Sequence, residues 1–309
     1  MARTARRPEG PPLASGVLVV DKPPHVTSHD VVAAVRRHAG GAKIGHTGTL
    51  DPFATGVLPL VIGKATRLAQ HLTAGQKSYE AAVRLGRTTD TFDITGRVLS
   101  EAAPEACRPT RPAVEEALAA FCGTWMQRPP AFSAKHHDGA RAYEQARRGL
   151  RVELPPVEVT VSELELQSAD SGLIRVRLVC SAGFYVRAFA DALGRRLGPG
   201  ACLEALRRTR SGGFGLDDAV PLERVLLDGP APHLRPLSTL LTDWPGVTVT
   251  AEGVARIGHG REVGPAHCLP PAPVLPAGGR VRILGPDGAL LALAEADPGG
   301  LLRPSAVLM

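Results

Sequence analysis

A chain of 309 residues, 44% of them hydrophobic, can bury a large core and a smaller second one, which excludes a disordered or low-complexity protein. Its 36 lysines and arginines against 30 acids give a net charge of +6 and a pI near 9.4, a balance that favours a polyanionic partner. Five cysteines, odd in number and without a Cys-x-x-Cys pair, specify neither a disulfide framework nor a zinc site; no apolar run is long enough to cross a bilayer, and a reducing cytoplasm fits best.

Residues 1–12, with Arg3, Arg6, Arg7 and three prolines, read as a disordered basic arm. Residues 17–21 predict a first strand, and Thr27 or Ser28 caps a helix running through His38 with Asp30 in its first turn. The apolar run 57–62 predicts a buried strand, followed by a helix with Ala65, Leu68, Ala69 and Leu72 on one face and closed by Gly75. Tyr79, Ala81, Val83 and Leu85 alternate with Ser78, Glu80, Ala82 and Arg84, the pattern of a half-buried strand. Thr110 caps a helix whose stripe is Val114, Ala117, Leu118 and Phe121. The proline-rich stretch 127–156, basic through Lys135, His136, His137, Arg141, Arg147, Arg148 and Arg151, reads as an inserted, partly mobile excursion. A strand over 174–180 follows, then a helix after Gly183 carrying Val186, Phe189, Ala190, Leu193 and Leu197 and stopped at 198–200. Residues 229–236, with three prolines, look like a boundary; beyond them 247–250, the hairpin pattern 281–294 and 306–309 suggest a small β domain. Strands flank helices without a regular repeat, so the expected class is α+β rather than a doubly wound parallel sheet.

One carboxylate stands out. In Gly-His-Thr-Gly-Thr-Leu-Asp-Pro-Phe-Ala-Thr-Gly (45–56), Pro52 steers Asp51 toward an extended backbone, and Gly45, Gly48 and Gly56 permit positive φ or close backbone approach. An aspartate before proline also starts ordinary turns. A loop that fixes one acid between packed elements nevertheless suits covalent or acid/base chemistry.

This segment resembles the tRNA pseudouridine synthase B family, and so do four further blocks in the family's order: Val-Asp-Lys-Pro (20–23), Leu-Gly-Arg-Thr-Thr-Asp-Thr-Phe-Asp (85–93), Gln-Arg-Pro-Pro-Ala-Phe-Ser-Ala (127–134) and Cys-Ser-Ala-Gly-Phe-Tyr-Val-Arg (180–187). The resemblance runs from Gly16 to about Trp244. It implies the pseudouridine synthase fold, a mixed, mainly antiparallel sheet flanked by helices, over 13–245, with an RNA-binding insertion at about 127–156. A small unit over 246–309 resembles a PUA domain. The implied activity is isomerisation of uridine 55 in the T loop of tRNA, by base flipping and without cofactor or metal. The implied partner is the T-arm, with no membrane, no guide RNA, no obligate protein partner and a monomeric enzyme.

Candidate roles follow residue by residue. Asp51 is the nucleophile, and an ionised carboxylate in a water-excluding pocket calls for a cation. Arg187 fits, since a positive charge in the first turn of a helix opposes the backbone dipole and needs another partner; a surface pair with Asp191, four residues on, is its ordinary alternative. By resemblance Arg187 pairs with Asp51, and Asp93 holds the other side of the guanidinium. Tyr79 reads from its strand as a core tyrosine, and by resemblance stacks on the target uracil. His46 matches the histidine that replaces the flipped base, although a lone loop histidine also bonds a local carbonyl. Leu206, for which helix packing is the default, matches an apolar residue against the uracil. Lys22 matches the lysine of the Asp-Lys-Pro block, with a structural or a phosphate-binding role. Arg207, Arg208 and Arg210, with Arg195 and Arg196, are the expected RNA contacts. Ser133-Ala134-Lys135-His136 departs from the family, which commonly carries an apolar residue after Ser-Ala.

Three rival readings are open to the same residues. Six residues separate Gly56 from Gly63-Lys64, and Ala65 occupies the hydroxyl position, so a phosphate-binding loop fails on spacing. A metal hydrolase would have to use His136, His137 and Asp138, or Asp90 and Asp93, and adjacent histidines in a polar excursion suit a preorganised site poorly. The alternative from another class is a non-catalytic tRNA-binding or tRNA-folding protein on the same scaffold, against which the presence of Asp51, Tyr79 and Arg187 together argues.

Overall fold

A computed structural model describes residues 13–132, 136–137, 140–141, 145, 154–270 and 275–309. The expected basic arm and most of the insertion, including Lys135, Arg147, Arg148 and Arg151, therefore lie outside the described residues. The insertion's described part pairs His136–His137 with Ala140–Arg141.

A large mixed sheet runs through the chain. In sequence order its strands are β1 (Gly16–Lys22), β2 (Ile44–His46), β3 (Thr55–Ile62), β4 (Lys77–Leu85), β5 (Gly123–Gln127), β6 (Val157–Asp170), β7 (Leu173–Cys180) and β8 (Ala201–Ser211). Across the sheet they lie β1-β3-β8-β4-β7-β6-β5, with β2 also on β3. Every pair in that path is antiparallel except β3 with β8. The class and the mainly antiparallel sheet are as expected. Arg235–Pro236, the end of the proline-rich stretch expected as a boundary, adds to β1 opposite Gly16 and Val17.

Helices α1 (Ser28–Arg36), α3 (Arg111–Ala119) and α4 (Val186–Leu197) cover one face. Thr27 caps α1 through a reciprocal pair with Asp30, because its hydroxyl accepts from the Asp30 amide while the Asp30 carboxylate accepts from the Thr27 amide. Leu18 and Val20 of β1, Leu58, Leu60 and Ile62 of β3, and Tyr79, Ala81 and Val83 of β4 meet Val31, Val35, Val114, Phe189 and Leu193 there. Val17, Val19, Val57 and Val61 point the other way and are also buried, against Leu290, Leu293, Ala306 and Leu308. That double cover explains why 57–62 is apolar throughout, whereas β4 alternates. Between β3 and β4 the chain makes a 3₁₀ segment (Gly63–Leu68) and then α2 (Ala69–Thr73). Gly75 does not close this helix in a left-handed turn: a Cβ there would meet the Gly212 Cα at 2.8 Å, so close backbone approach is what requires glycine.

The residues buried beneath β1 and β3 belong to a second sheet, built from β9 (Gly246–Thr248), β10 (Arg280–Leu284), β11 (Leu290–Ala296) and β12 (Leu302–Val307). The expected hairpin joins β10 to β11. A helix, Ala251–Gly258, packs here as well and is absent from the sequence reading.

Candidate active site

Strands β2 and β3 form a hairpin, and Asp51 lies in its long connection. The connection is fastened from several sides. Ser28, the buried first residue of α1, accepts from the Leu50 amide at 2.9 Å and donates to the Leu50 carbonyl at 3.2 Å. The Pro52 carbonyl takes the Lys22 ammonium at 3.2 Å and the His25 amide at 2.8 Å, and His25 adopts a left-handed backbone (φ 66°) to present that amide. Gly48 (φ 146°) and Gly56 (φ 102°) have the positive φ expected of them; Gly45 does not, and stands as an ordinary extended residue of β2. At Gly56 a Cβ would sit 2.2 Å from the Arg208 carbonyl oxygen, so β3 and β8 can run side by side only with glycine there.

Arg187 grips Asp51 from the second position of α4. Its Nε donates to Oδ2 and its Nη2 to Oδ1, both at 2.9 Å, a planar two-point pair. Nη1 donates to the Thr91 carbonyl at 2.9 Å and stands 3.6 Å from Asp93 Oδ2, and Nη2 also reaches the Phe132 carbonyl at 2.8 Å. The Arg187 side chain is 7% exposed while Asp51 keeps 30%, so the guanidinium forms the inner wall and the carboxylate the accessible surface. Asp191 pairs instead with Arg195. Asp93 is fixed in turn by the Thr91 hydroxyl and the Thr95 amide, each at 3.0 Å, and Phe92 between them is left-handed (φ 62°), which lets the Thr91 carbonyl and the Asp93 carboxylate converge on one nitrogen.

Several contributors escaped the sequence reading. Gln127 donates to the Tyr185 carbonyl at 3.0 Å and accepts its amide at 2.8 Å, anchoring the residue that precedes α4. Gln127 ends a strand of mixed, mostly exposed residues, and its place at the head of the Gln-Arg-Pro-Pro block was the available signal. Ser28 and the carbonyls of Thr91 and Phe132 carried no such mark.

Tyr79 on β4 and Arg208 on β8 are cross-strand partners, and Leu206 stands opposite Ala81 one step along. Leu206 is therefore a buried strand residue, not a helical one. Arg208, expected at the RNA surface, is 1% exposed; its guanidinium donates to the carbonyls of Val57 (2.7 Å), Gly48 (3.1 Å) and Thr49 (3.5 Å). Arg207 is half-buried on Asp21 at 2.7 Å, and Arg210 is exposed. Arg195 and Arg196 are exposed in the last turn of α4, at the other end of the helix from Arg187. Lys22 is fully buried, with its ammonium on the carbonyls of Pro23, Val26 and Pro52, and is thus a structural clamp in this arrangement. His46 accepts the Gly48 amide at 3.4 Å through Nδ1, a local amide in place of the carbonyl considered above.

Burial raises the Asp51 carboxyl above its ordinary range, with Arg187 opposing and Asp93 reinforcing the rise. Burial also raises the Tyr79 phenol, with Arg208 pulling the other way. Lys22 is brought down to about 8 by burial, against the attraction of Asp51. Burial lowers His46 too, aided by the charges of Arg208 and His29, so its imidazole is neutral at pH 7. Among the described residues no group of three His, Cys, Asp or Glu side chains is placed to hold a metal ion, and no helix is long and apolar enough to cross a membrane.

The profile of the TruB family pseudouridylate synthase N-terminal domain matches residues 36–186. A tRNA pseudouridine synthase B of Solibacter usitatus is 44% identical over 95% of this chain and 99% of its own. One of Moorella thermoacetica is 42% identical over 96% and 100%. Among solved structures, a chain from an H/ACA RNP bound to a substrate RNA containing 2'-deoxyuridine superposes with a TM-score of 0.71 at 25% identity, over 95% of this chain and 85% of that one. With relatives this similar along nearly the whole length, the chain belongs to the tRNA pseudouridine synthase B family.

Proposed function

We propose that this protein isomerises uridine 55 in the T loop of tRNA to pseudouridine, with Asp51 as the nucleophile and without cofactor. The observation that carries the reading is the two-point grip of Arg187 on a carboxylate that still faces outward. The reaction breaks the bond from uracil N1 to ribose C1′, turns the base, joins C5 to C1′, releases the C5 proton to solvent and returns one to N1, so that the nucleoside keeps its composition. A carboxylate oxygen can form the transient covalent bond, to ribose C1′ or to uracil C6, that holds a reacting fragment on the enzyme while the glycosidic bond is exchanged. Arg187 keeps that carboxylate ionised and aimed. Tyr79 and Leu206 supply an aromatic face and an apolar wall for an extruded base, and His46, neutral and at the loop's edge, fills the place the base leaves. Arg207 and Arg210, with the basic insertion, supply phosphate contacts. The T-arm alone provides the recognition, so no guide RNA or protein partner enters this reading, and the enzyme acts as a monomer.

The test is release of tritium from unmodified tRNA transcript labelled at uracil C5. Wild-type protein is expected to release it without added metal or nucleotide, and Asp51→Asn to release none while binding tRNA nearly as well. A tRNA-binding protein without activity would release none in either form. Loss of activity on adding chelator would point to a metal enzyme instead.

A further inference from the structure

Resting on that reading, we propose that Arg208 is a positioning residue for the reaction: its guanidinium staples the two ends of the Asp51 connection together beside Tyr79, and it does not contact RNA. Gly48 and Thr49 precede Asp51 and Val57 follows it, and all three carbonyls accept from this one side chain. Tyr79 stands directly opposite Arg208 in the register of the two strands, which sends both side chains to one face of the sheet. The nucleophile and the aromatic side chain reach the site from different strands, and Arg208 sits on the strand between them. Two glycines fit around it. A Cβ at Gly56 would collide with its backbone, whereas one at Gly48 would stand in ordinary contact with Nη1 at 3.5 Å, so at 48 it is the positive φ of 146° that asks for glycine. A buried arginine is costly unless its donors are met, and here they are met by the backbone that carries Asp51.

Two substitutions test this in the full-length protein. Arg208→Lys keeps the charge but cannot reach all three carbonyls, and Arg208→Gln keeps a donor without the charge. The chain has three tyrosines, so 3-fluorotyrosine labelling gives three ¹⁹F signals, and the one missing in Tyr79→Phe is assigned to residue 79. For both variants we expect the Tyr79 signal to move while those of Tyr143 and Tyr185 stay, the single-turnover rate to fall on the order of 10²-fold, and tRNA affinity to stay within about threefold. A rate and a Tyr79 signal that both stay at wild type overturn the proposal. So does affinity that drops with a salt slope reduced by about one, the mark of a lost phosphate contact. Collapse of all three signals together in both variants also overturns it, in favour of a plain core role. A wild-type protein that releases no tritium overturns the reaction itself, a result visible before any variant is compared.

Discussion

Ser28 meets Leu50 twice, accepting its amide and donating to its carbonyl, and so ties the first residue of α1 to the residue before Asp51. Replacing it with alanine leaves a buried amide without a partner, a loss of about 1–3 kcal/mol. We expect Ser28→Ala to lower the urea midpoint accordingly, and to reduce kcat for tritium release more than it raises KM, because the loop rather than the RNA surface has loosened. Equal stability in the two proteins would show that water replaces the hydroxyl at no cost.

The raised Asp51 carboxyl gives a signed pH prediction. Burial favours the protonated form, so ionised Asp51 accumulates only above the ordinary carboxylate value of ~4. The single-turnover rate should therefore rise with pH along a limb displaced upward from that value. Arg187→Met removes the opposing cation and should push the limb higher still, while Arg187→Lys falls between. A limb at the ordinary value in both variants would remove the assigned cause.

The same shift makes ionised Asp51 a cost to the fold. A carboxyl whose folded value lies above its unfolded one favours the native state below the unfolded value and loses that contribution as pH rises through the folded one. Asp51→Asn is accordingly expected to unfold at higher urea than wild type at pH 7 while being inactive, with the gap narrowing as pH falls toward ~4. A less stable Asp51→Asn would mean that the pair with Arg187 outweighs burial.

Lys22 and Lys77 are both brought down to about 8 by burial. Between that value and the unfolded one near ~10.4 the unfolded chain binds more protons, so stability should rise as pH climbs from about 8 toward ~10. Urea midpoints across this window should show the rise in wild type, and a shallower one in Lys22→Met.

Gly56 and Gly183 make a matched pair. Both have positive φ, but a Cβ at 183 meets nothing within 4 Å, whereas at 56 it would collide with the Arg208 backbone. Gly183→Ala should cost only the backbone strain, about 1–2 kcal/mol. Gly56→Ala should cost on the order of 3 kcal/mol or more, and should lower tritium release with it.

What the residues revealed in advance follows from regularity. The strand at Tyr79 kept a strict period of two, the capped helix at Thr27 carried its reciprocal pair, and the apolar run 57–62 is covered on both faces, so each was legible. Strand β8 was not, because irregularities between Leu203 and Ala205 and between Arg208 and Arg210 shift the phase of its buried positions. With Leu203 and Leu206 three apart, the segment imitates a helix. Strand β6 hides for the same reason, its pairing slipping between Val161 and Glu163 and between Leu166 and Ser168. That same register decided the arginines: nothing in Leu-Arg-Arg-Thr-Arg marks the second as the inward one, and only its place opposite Tyr79 turns it under the loop. Position alone marks Asp51 as a held acid and leaves Arg187 between a buried partner and a surface pair with Asp191; their pairing with each other came from the family resemblance.

The far face of β1 and β3 has a mechanical consequence. Val57, whose carbonyl Arg208 holds, belongs with Leu290, Leu293 and Leu308 to the buried cluster on the side of the sheet away from α1, α3 and α4. The last strands thus share a core with the strand that follows Asp51. A shortened protein ending near Pro245 is expected to wet part of that core and to unfold at lower urea than the full chain.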